Sequence, residues 1–218
     1  MCFSSELSIL SFIVGFIGSI LCISLGKITD KIIGYFLGFV SLMQEIEFLL
    51  WNHQICDNYN KVVSFIGMIL NHYQPIVLGL LIFIFNTKIE TKKLYFIFGL
   101  LCFYTIIIIP YSIQFITTKK LYCTLKGTNK PHLLWKWNSL NYSVLVYYIF
   151  NIVLYLLLLL GIPNVLYGLY FVIIGFIIHY ISLIVYPNKY SGAIWCFFTA
   201  FLPLIYYIIR ITYLKNIE

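Results

Sequence analysis

Residues 43–51 read Met-Gln-Glu-Ile-Glu-Phe-Leu-Leu-Trp and end an apolar run that begins at Ile32. A run of about 20 apolar residues is long enough to cross a bilayer as a helix. The two carboxylates and the amide are unusual there, because an ionised group inside a bilayer costs at least ~2.5 kcal/mol on insertion scales. Such side chains face other protein or water, so this stretch predicts a helix packed within a bundle of membrane helices.

The composition indicates the same class of protein. The 218-residue chain is 62% hydrophobic and only 10% charged, whereas a soluble domain carries about 25% charged residues. A large soluble domain is therefore excluded. The formal net charge is +7, but the basic residues lie in connecting loops, where they meet lipid headgroups. The expected partner is thus the lipid bilayer, and no motif for nucleic-acid binding is present.

Seven apolar segments predict an all-α fold, a single domain over residues 1–218 formed by a bundle of seven transmembrane helices. The segments cover residues 7–25, 32–51, 62–85, 94–116, 142–161, 165–186 and 193–214. Small residues repeat at spacings of three and four along the first two segments, which predicts that these helices pack closely. Prolines predict kinks in the third, fourth and seventh segments: Pro75, Pro110 and Pro203.

The loops alternate between two sides of the membrane, called side A, which holds the N-terminus, and side B. Lys and Arg divide equally, seven to each side, so the positive-inside rule gives a tie. Lys27 and Lys31 follow the first segment, whereas no basic residue precedes it, and the first helix often dominates orientation. Cys56 and Cys123 both lie in side A loops, where a disulfide between them would require an oxidising compartment. We therefore predict an outside or lumenal N-terminus and a cytoplasmic C-terminus.

Polar residues in three segments predict a pocket open to side A. Glu47 shares a helix face with Gln44, while Glu45 points away from both. The alternative also remains open that there is no pocket. In that case Glu47 stays near the headgroups, hydrated or paired with a loop lysine, and His72 only packs. In the pocket hypothesis we expect Glu47 and His72 to approach within about 10 Å, as estimated from the helical rise. The candidate pocket residues are Gln44, Glu47, Asn71, His72, Gln74 and His179.

The longest connection, residues 117–141, contains His132, Trp135 and Trp137. Tryptophan favours the membrane interface, so the loop is interpreted either as an interfacial anchor or as a lid over a cavity open to side A. Carboxylates, histidines and thiols in the chain are metal-ligand types. No local spacing such as Cys-x-x-Cys is present, however, so no metal site is predicted and any cofactor is left open.

Several short motifs carry a family resemblance. The chain begins Met1-Cys2-Phe3-Ser4, residues 42–47 read Leu-Met-Gln-Glu-Ile-Glu, and residues 71–75 read Asn-His-Tyr-Gln-Pro. These motifs resemble those of an uncharacterised family of multi-pass membrane proteins, a domain of unknown function found in bacteria and large DNA viruses. Family members tend to begin Met-Cys-Trp-Ser, and their Leu-Met-Glu-x-x-Gln has the acid and the amide exchanged. The resemblance implies no activity, but it does imply that seven residues belong together: Cys2, Glu47, His72, Gln74, Cys123, His132 and Trp135.

Three functions remain open from the sequence. The leading hypothesis is the binding or transport of a small lipid-like molecule, because the expected cavity is apolar with a few polar groups. The second is an intramembrane hydrolase that uses a metal or a carboxylate–histidine pair. The third is a structural or assembly protein of a virion or host membrane, in which the polar residues only pack.

Overall fold

The computed structural model describes residues 4–118, 123–127, 132–185 and 191–212. The described residues form α-helices joined by short loops, which confirms the all-α fold. Two short antiparallel strands, β1 (Leu125–Lys126) and β2 (Leu133–Leu134), and one 3-10 turn, Lys136–Ser139, lie in the long loop. The helices are α1 (Ser5–Ser24), α2 (Ile28–Asn52), α3 (Asn58–His72), α4 (Gln74–Phe85), α5 (Thr91–Thr117), α6 (Ser143–Gly161), α7 (Val165–Val185) and α8 (Ser191–Thr212).

The described residues contain eight helices rather than seven, because the third predicted segment is broken. It divides at Tyr73 into α3 and α4, which are bent by 55°. Pro75 lies in the first turn of α4, where its missing N–H and fixed φ are tolerated, whereas in a continuous helix its ring would clash with the preceding turn. Pro110 and Pro203, by contrast, lie inside continuous helices.

The helices are long and apolar enough for a membrane protein. In the described part of the chain, five single helices meet that test, and the count is six if the bent pair α3–α4 is one broken span. The apolar part of α8, Phe197–Thr212, is shorter. Length and composition therefore identify an integral, multi-pass membrane protein, and the number of spans is close to the predicted seven.

Small residues allow α1 to pack closely against α2 and α8. A Cβ atom added to Gly18 would lie 2.6 Å from the backbone nitrogen of Leu204, and one added to Gly34 would lie 3.0 Å from the Ser19 carbonyl oxygen. The first distance is shorter than real Cβ contacts and the second is tighter than most of them, so glycine at these positions permits the close approach. The predicted contact between the first two helices is present, and α8 joins it.

A buried polar cluster connects α2 to α8 near side B. The Tyr206 hydroxyl donates to Asp30 Oδ1 at 2.6 Å, and Arg210 Nε lies 3.3 Å from the same oxygen. Asp30 is fully buried, Arg210 is 5% exposed, and the guanidinium lies 5.5 Å from the centre of the Tyr167 ring. Asp30 is in the first turn of α2 and Arg210 in the last turn of α8, where the helix dipoles favour these charges.

Five helices form a ring around the centre of the bundle. α2 packs against α4 and α8, α6 packs against α4 and α7, and α7 also packs against α8. α1 covers the outside of α2 and α8, while α5 lies against α4 and α6. The ring is the part of the fold that positions the candidate site.

Candidate functional site

A narrow cavity lies inside the ring of α2, α4, α6, α7 and α8; we call it the central cavity. About 30 Å³ of it is open to the centre of a water-sized sphere, which is room for about two water molecules. Its walls extend from Trp195, near the start of α8, to Ile33, near the start of α2. They are formed by Ile33, Phe36, Leu37, Val40, Gln74, Leu78, Leu154, Tyr155, Leu158, Phe171, Gly175, Trp195, Thr199 and Leu202.

Three polar side chains interrupt an otherwise apolar lining. The Thr199 hydroxyl donates to the Trp195 carbonyl oxygen at 2.8 Å. Gln74 Nε2 and the Tyr155 hydroxyl are buried, and neither has a hydrogen-bond partner among the described residues. Most buried polar side-chain atoms in proteins are hydrogen-bonded, and an unmet one costs about 1–3 kcal/mol. Two buried polar groups in the wall of one cavity therefore give it hydrogen-bonding capacity for a ligand.

Gly175 makes room for Tyr155. A Cβ atom added to Gly175 would lie 3.0 Å from Tyr155 Cε1, 3.2 Å from the Tyr155 hydroxyl oxygen and 3.2 Å from Trp195 Cη2. Glycine inside a helix costs about 1 kcal/mol relative to alanine, so here it serves the approach of two aromatic rings. Any larger side chain at this position would displace Tyr155 or enter the cavity.

The helix break places Gln74 in the cavity wall. α3 ends at His72, and Gln74 is the first residue of α4. The Tyr104 hydroxyl donates to the His72 carbonyl oxygen at 2.6 Å, which satisfies an acceptor that the break leaves without its helical partner. The bend is thus stabilised from α5, and it directs the start of α4 towards the centre of the ring.

Two predicted pocket residues of α2, Gln44 and Glu47, lie between the central cavity and side A. Ile33, Leu37 and Val40 line the cavity, and Gln44 and Glu47 continue the same helix face at spacings of four and three. Both are fully buried, so protein encloses the Glu47 carboxylate, which is not exposed to headgroups or solvent. The helical rise puts them about 6 and 10 Å from Val40 along the axis. Glu45, on another face, is only half-buried.

Asn71 and His72 belong to an aromatic cluster and are not among the residues that line the central cavity. His72 Nδ1–H donates to the Met68 carbonyl oxygen at 3.1 Å, and its ring centre lies 5.2 Å from those of Tyr111 and Tyr147. Asn71 Nδ2 donates to the Tyr147 hydroxyl at 2.8 Å. His72 Nε2 has no hydrogen-bond partner among the described residues. The packing interpretation fits this histidine, and its approach to Glu47 stays a prediction.

The long loop packs against the bundle at side A, and two of its tryptophans are buried there. Trp135 and Trp137 are 5% and 1% exposed, and their ring atoms lie against Gly67 of α3. The Tyr111 hydroxyl donates to the Trp137 carbonyl oxygen at 2.7 Å. His132 is also buried. The described loop residues therefore pack on α3 and α5, and their role as a lid over the cavity stays a prediction.

One asparagine and one disulfide attach this loop to α3. Asn60 Nδ2 donates to the carbonyl oxygens of His53 and Thr124, and Asn60 Oδ1 accepts from the Thr124 N–H at 3.0 Å. Cys56 and Cys123 are joined by a disulfide with a Cα–Cα distance of 5.5 Å, as the sequence predicts. Sequence reasoning missed Asn60, because its burial near the start of α3 is visible only in the structure.

The remaining candidates are less central. His179 is half-buried, and its ring centre lies 6.3 Å from that of Trp195. It therefore neighbours a cavity-wall residue but does not line the cavity itself. Cys2 lies outside the described residues. Within the described ranges, no three His, Cys, Asp or Glu side chains are grouped so that they could hold a metal ion. Gln74 is thus the one predicted pocket residue that lines the central cavity, and Tyr155 and Gly175 were missed.

No family model matches the chain, and comparison with curated proteins and with solved structures finds no significant match. The family resemblance of the short motifs therefore stays a prediction.

Proposed function

We propose that the protein binds the apolar chain of a lipid-like molecule in the central cavity. The observation that carries the proposal is a mid-membrane cavity with an apolar lining and two unmet polar groups, Gln74 and Tyr155. Ligand sites have this composition, with a few polar groups that fix orientation. The bilayer around the bundle supplies hydrocarbon chains at the same depth.

The narrowness of the cavity favours a single chain over a ring system. The cavity has room for about two waters, so it accepts one narrow group as it stands. A longer chain requires the lining side chains to move. Leucines and Phe171 supply much of the wall, and their side chains can change rotamer without moving a helix axis. A fused-ring molecule such as a sterol would require the five helices to separate.

The hydrolase hypothesis has weaker support. Its acid–base pair would be Glu47 and His72, but three aromatic side chains surround the His72 ring: Tyr111, Trp137 and Tyr147. His72 is fully buried and is not part of the cavity wall. A substrate bound in the central cavity would therefore not reach its imidazole.

We also propose that side A faces the outside or a lumen. The disulfide between Cys56 and Cys123 lies on side A and supports this orientation, because disulfides persist in oxidising compartments. The C-terminus would then be cytoplasmic. Transport is not required by the proposal, since binding alone accounts for the cavity.

The binding proposal is tested with tritiated hexadecan-1-ol and the purified protein in lipid nanodiscs. We expect saturable binding above the partition into lipid, lost in Gly175→Leu, whose side chain would occupy the cavity. Gly99→Leu is the matched control, because no atom lies within 4 Å of a Cβ added there. Binding that never saturates, or that is equal in the wild type and in both variants, would overturn the proposal.

A further inference from the structure

We infer that the polar end of the ligand is an uncharged hydroxyl, held between the Gln74 amide and the Tyr155 phenol, so that the ligand is a long-chain alcohol. This inference rests on the proposed function and adds the chemical class of the ligand. It is carried by the two unmet polar groups and by the absence of charge in the described cavity wall.

The charge of the wall excludes an ionised head group. None of the described lining residues is Asp, Glu, Lys, Arg or His. A carboxylate or an ammonium at this depth would lack a counter-charge, and ionised groups near the bilayer centre cost at least ~2.5 kcal/mol on insertion scales. A fatty acid or a fatty amine would therefore have to bind in its neutral form.

The hydrogen-bonding capacity of the wall fits a hydroxyl. The Gln74 amide supplies two N–H donors and a carbonyl acceptor, and the Tyr155 phenol both donates and accepts. A ligand hydroxyl also donates and accepts, so it can bond one group in each role. A plain hydrocarbon would leave both groups unmet, at about 1–3 kcal/mol each.

The position of the two groups orients the ligand. Gln74 begins α4 at the helix break, and Tyr155 lies over Gly175 of α7, so the polar site is near mid-membrane and the leucine-rich wall extends from it. Leu78 lies between Gln74 and side B along α4, and Leu158 lies between Tyr155 and side B along α6. The chain of the alcohol would therefore extend towards side B from a buried hydroxyl.

The experiment is competition against tritiated hexadecan-1-ol in the same nanodiscs, with unlabelled hexadecan-1-ol, hexadecane, hexadecanoic acid and hexadecylamine at pH 7.5. We expect the alcohol to compete about tenfold more strongly than the alkane, since one net hydrogen bond changes affinity by roughly 2- to 12-fold. In Tyr155→Phe the preference should fall several-fold, and in the double variant with Gln74→Leu it should disappear. Tyr95→Phe is the control, because Tyr95 is exposed on α5.

The outcomes separate the two claims. If the alcohol and the alkane compete equally in the wild type, or if the acid or the amine competes best, the hydroxyl inference is wrong while the binding proposal stands. If no compound competes, the binding proposal itself fails. Tyr155→Phe changes a single oxygen atom and should leave the fold intact, so an unchanged alcohol preference in this variant also overturns the inference.

Discussion

Replacing Arg210 with methionine should destabilise the protein strongly, because the Asp30 carboxylate would stay buried without its positively charged partner. Asp30 has no exposed surface, and its Oδ2 atom has no hydrogen-bond partner among the described residues. Its Oδ1 atom accepts from the Tyr206 hydroxyl at 2.6 Å and from Arg210 Nε at 3.3 Å. Breaking a buried ion pair by removing one partner costs about 3–5 kcal/mol.

The hydrogen bond from Tyr206 to a charged acceptor contributes about 1.5–3 kcal/mol, so Tyr206→Phe should cost less than Arg210→Met. Removing both charges, in Asp30→Leu with Arg210→Met, should restore most of the stability, since an apolar replacement of a buried pair is often neutral or stabilising.

The free energy of unfolding can be measured for each variant by titrating SDS into mixed micelles and extrapolating linearly. Thr212→Val is the control, because Thr212 is exposed at the end of α8. A cost below about 1 kcal/mol for Arg210→Met, the value of a surface pair, would refute the burial of this cluster. A double variant as unstable as the worse single variant would refute the pairing of the two charges.

Three further predictions concern side A of the molecule. Asn60→Leu should lower the free energy of unfolding by about 3 kcal/mol in the same titration. It removes hydrogen bonds to His53, Ser64 and Thr124. A cost equal to that of an exposed substitution would contradict the attachment of the loop. Reduction of the disulfide, or Cys56→Ser, should destabilise by at most about 4 kcal/mol, since the crosslink spans 67 residues but the membrane already restrains the unfolded chain; identical unfolding with and without reductant would count against the crosslink. In a variant without other free thiols, an impermeant thiol reagent outside intact cells should label Asn141→Cys on side A and spare Lys88→Cys on side B, both of which are exposed positions; the reverse pattern would invert the proposed orientation.

The sequence predicted the spans well because their signal is local. An apolar run of sufficient length must form its hydrogen bonds within itself in a bilayer, so a helix is the expected structure. The predicted and observed ends of the last three spans differ by two residues or fewer at each end. The break at Tyr73 was predicted only as a kink at Pro75, because composition alone does not determine the angle between two half-helices.

The site was predicted only in part because it depends on which helix faces meet. Gln74 and the polar face of α2 could be found, since polar residues in apolar helices stand out. Tyr155 could not, because tyrosine is common in this chain, with 19 occurrences, and its unmet hydroxyl is visible only once α6, α7 and α4 are assembled. Asp30 lies near a span end among other loop charges, and nothing local indicates that it pairs with a residue 180 positions away.

The loop shows the same limitation. Trp135 and Trp137 have the composition of an interfacial anchor, yet they are buried against α3. Gly67 provides the flat surface that receives them, and nothing in the local sequence relates the two segments. The burial of these two side chains therefore depends on long-range packing, which local composition does not indicate.

The central claim, that an apolar chain occupies the central cavity, is tested most directly by photolabelling. A hexadecan-1-ol analogue with a diazirine in mid-chain would be irradiated with the protein in nanodiscs, and the modified residues mapped by mass spectrometry. We predict saturable labelling of cavity-wall residues such as Leu154, Leu158 and Phe171, suppressed by unlabelled alcohol and absent in Gly175→Leu. Labelling confined to lipid-facing residues such as Phe98 and Ile106, and unaffected by competitor, would contradict the claim.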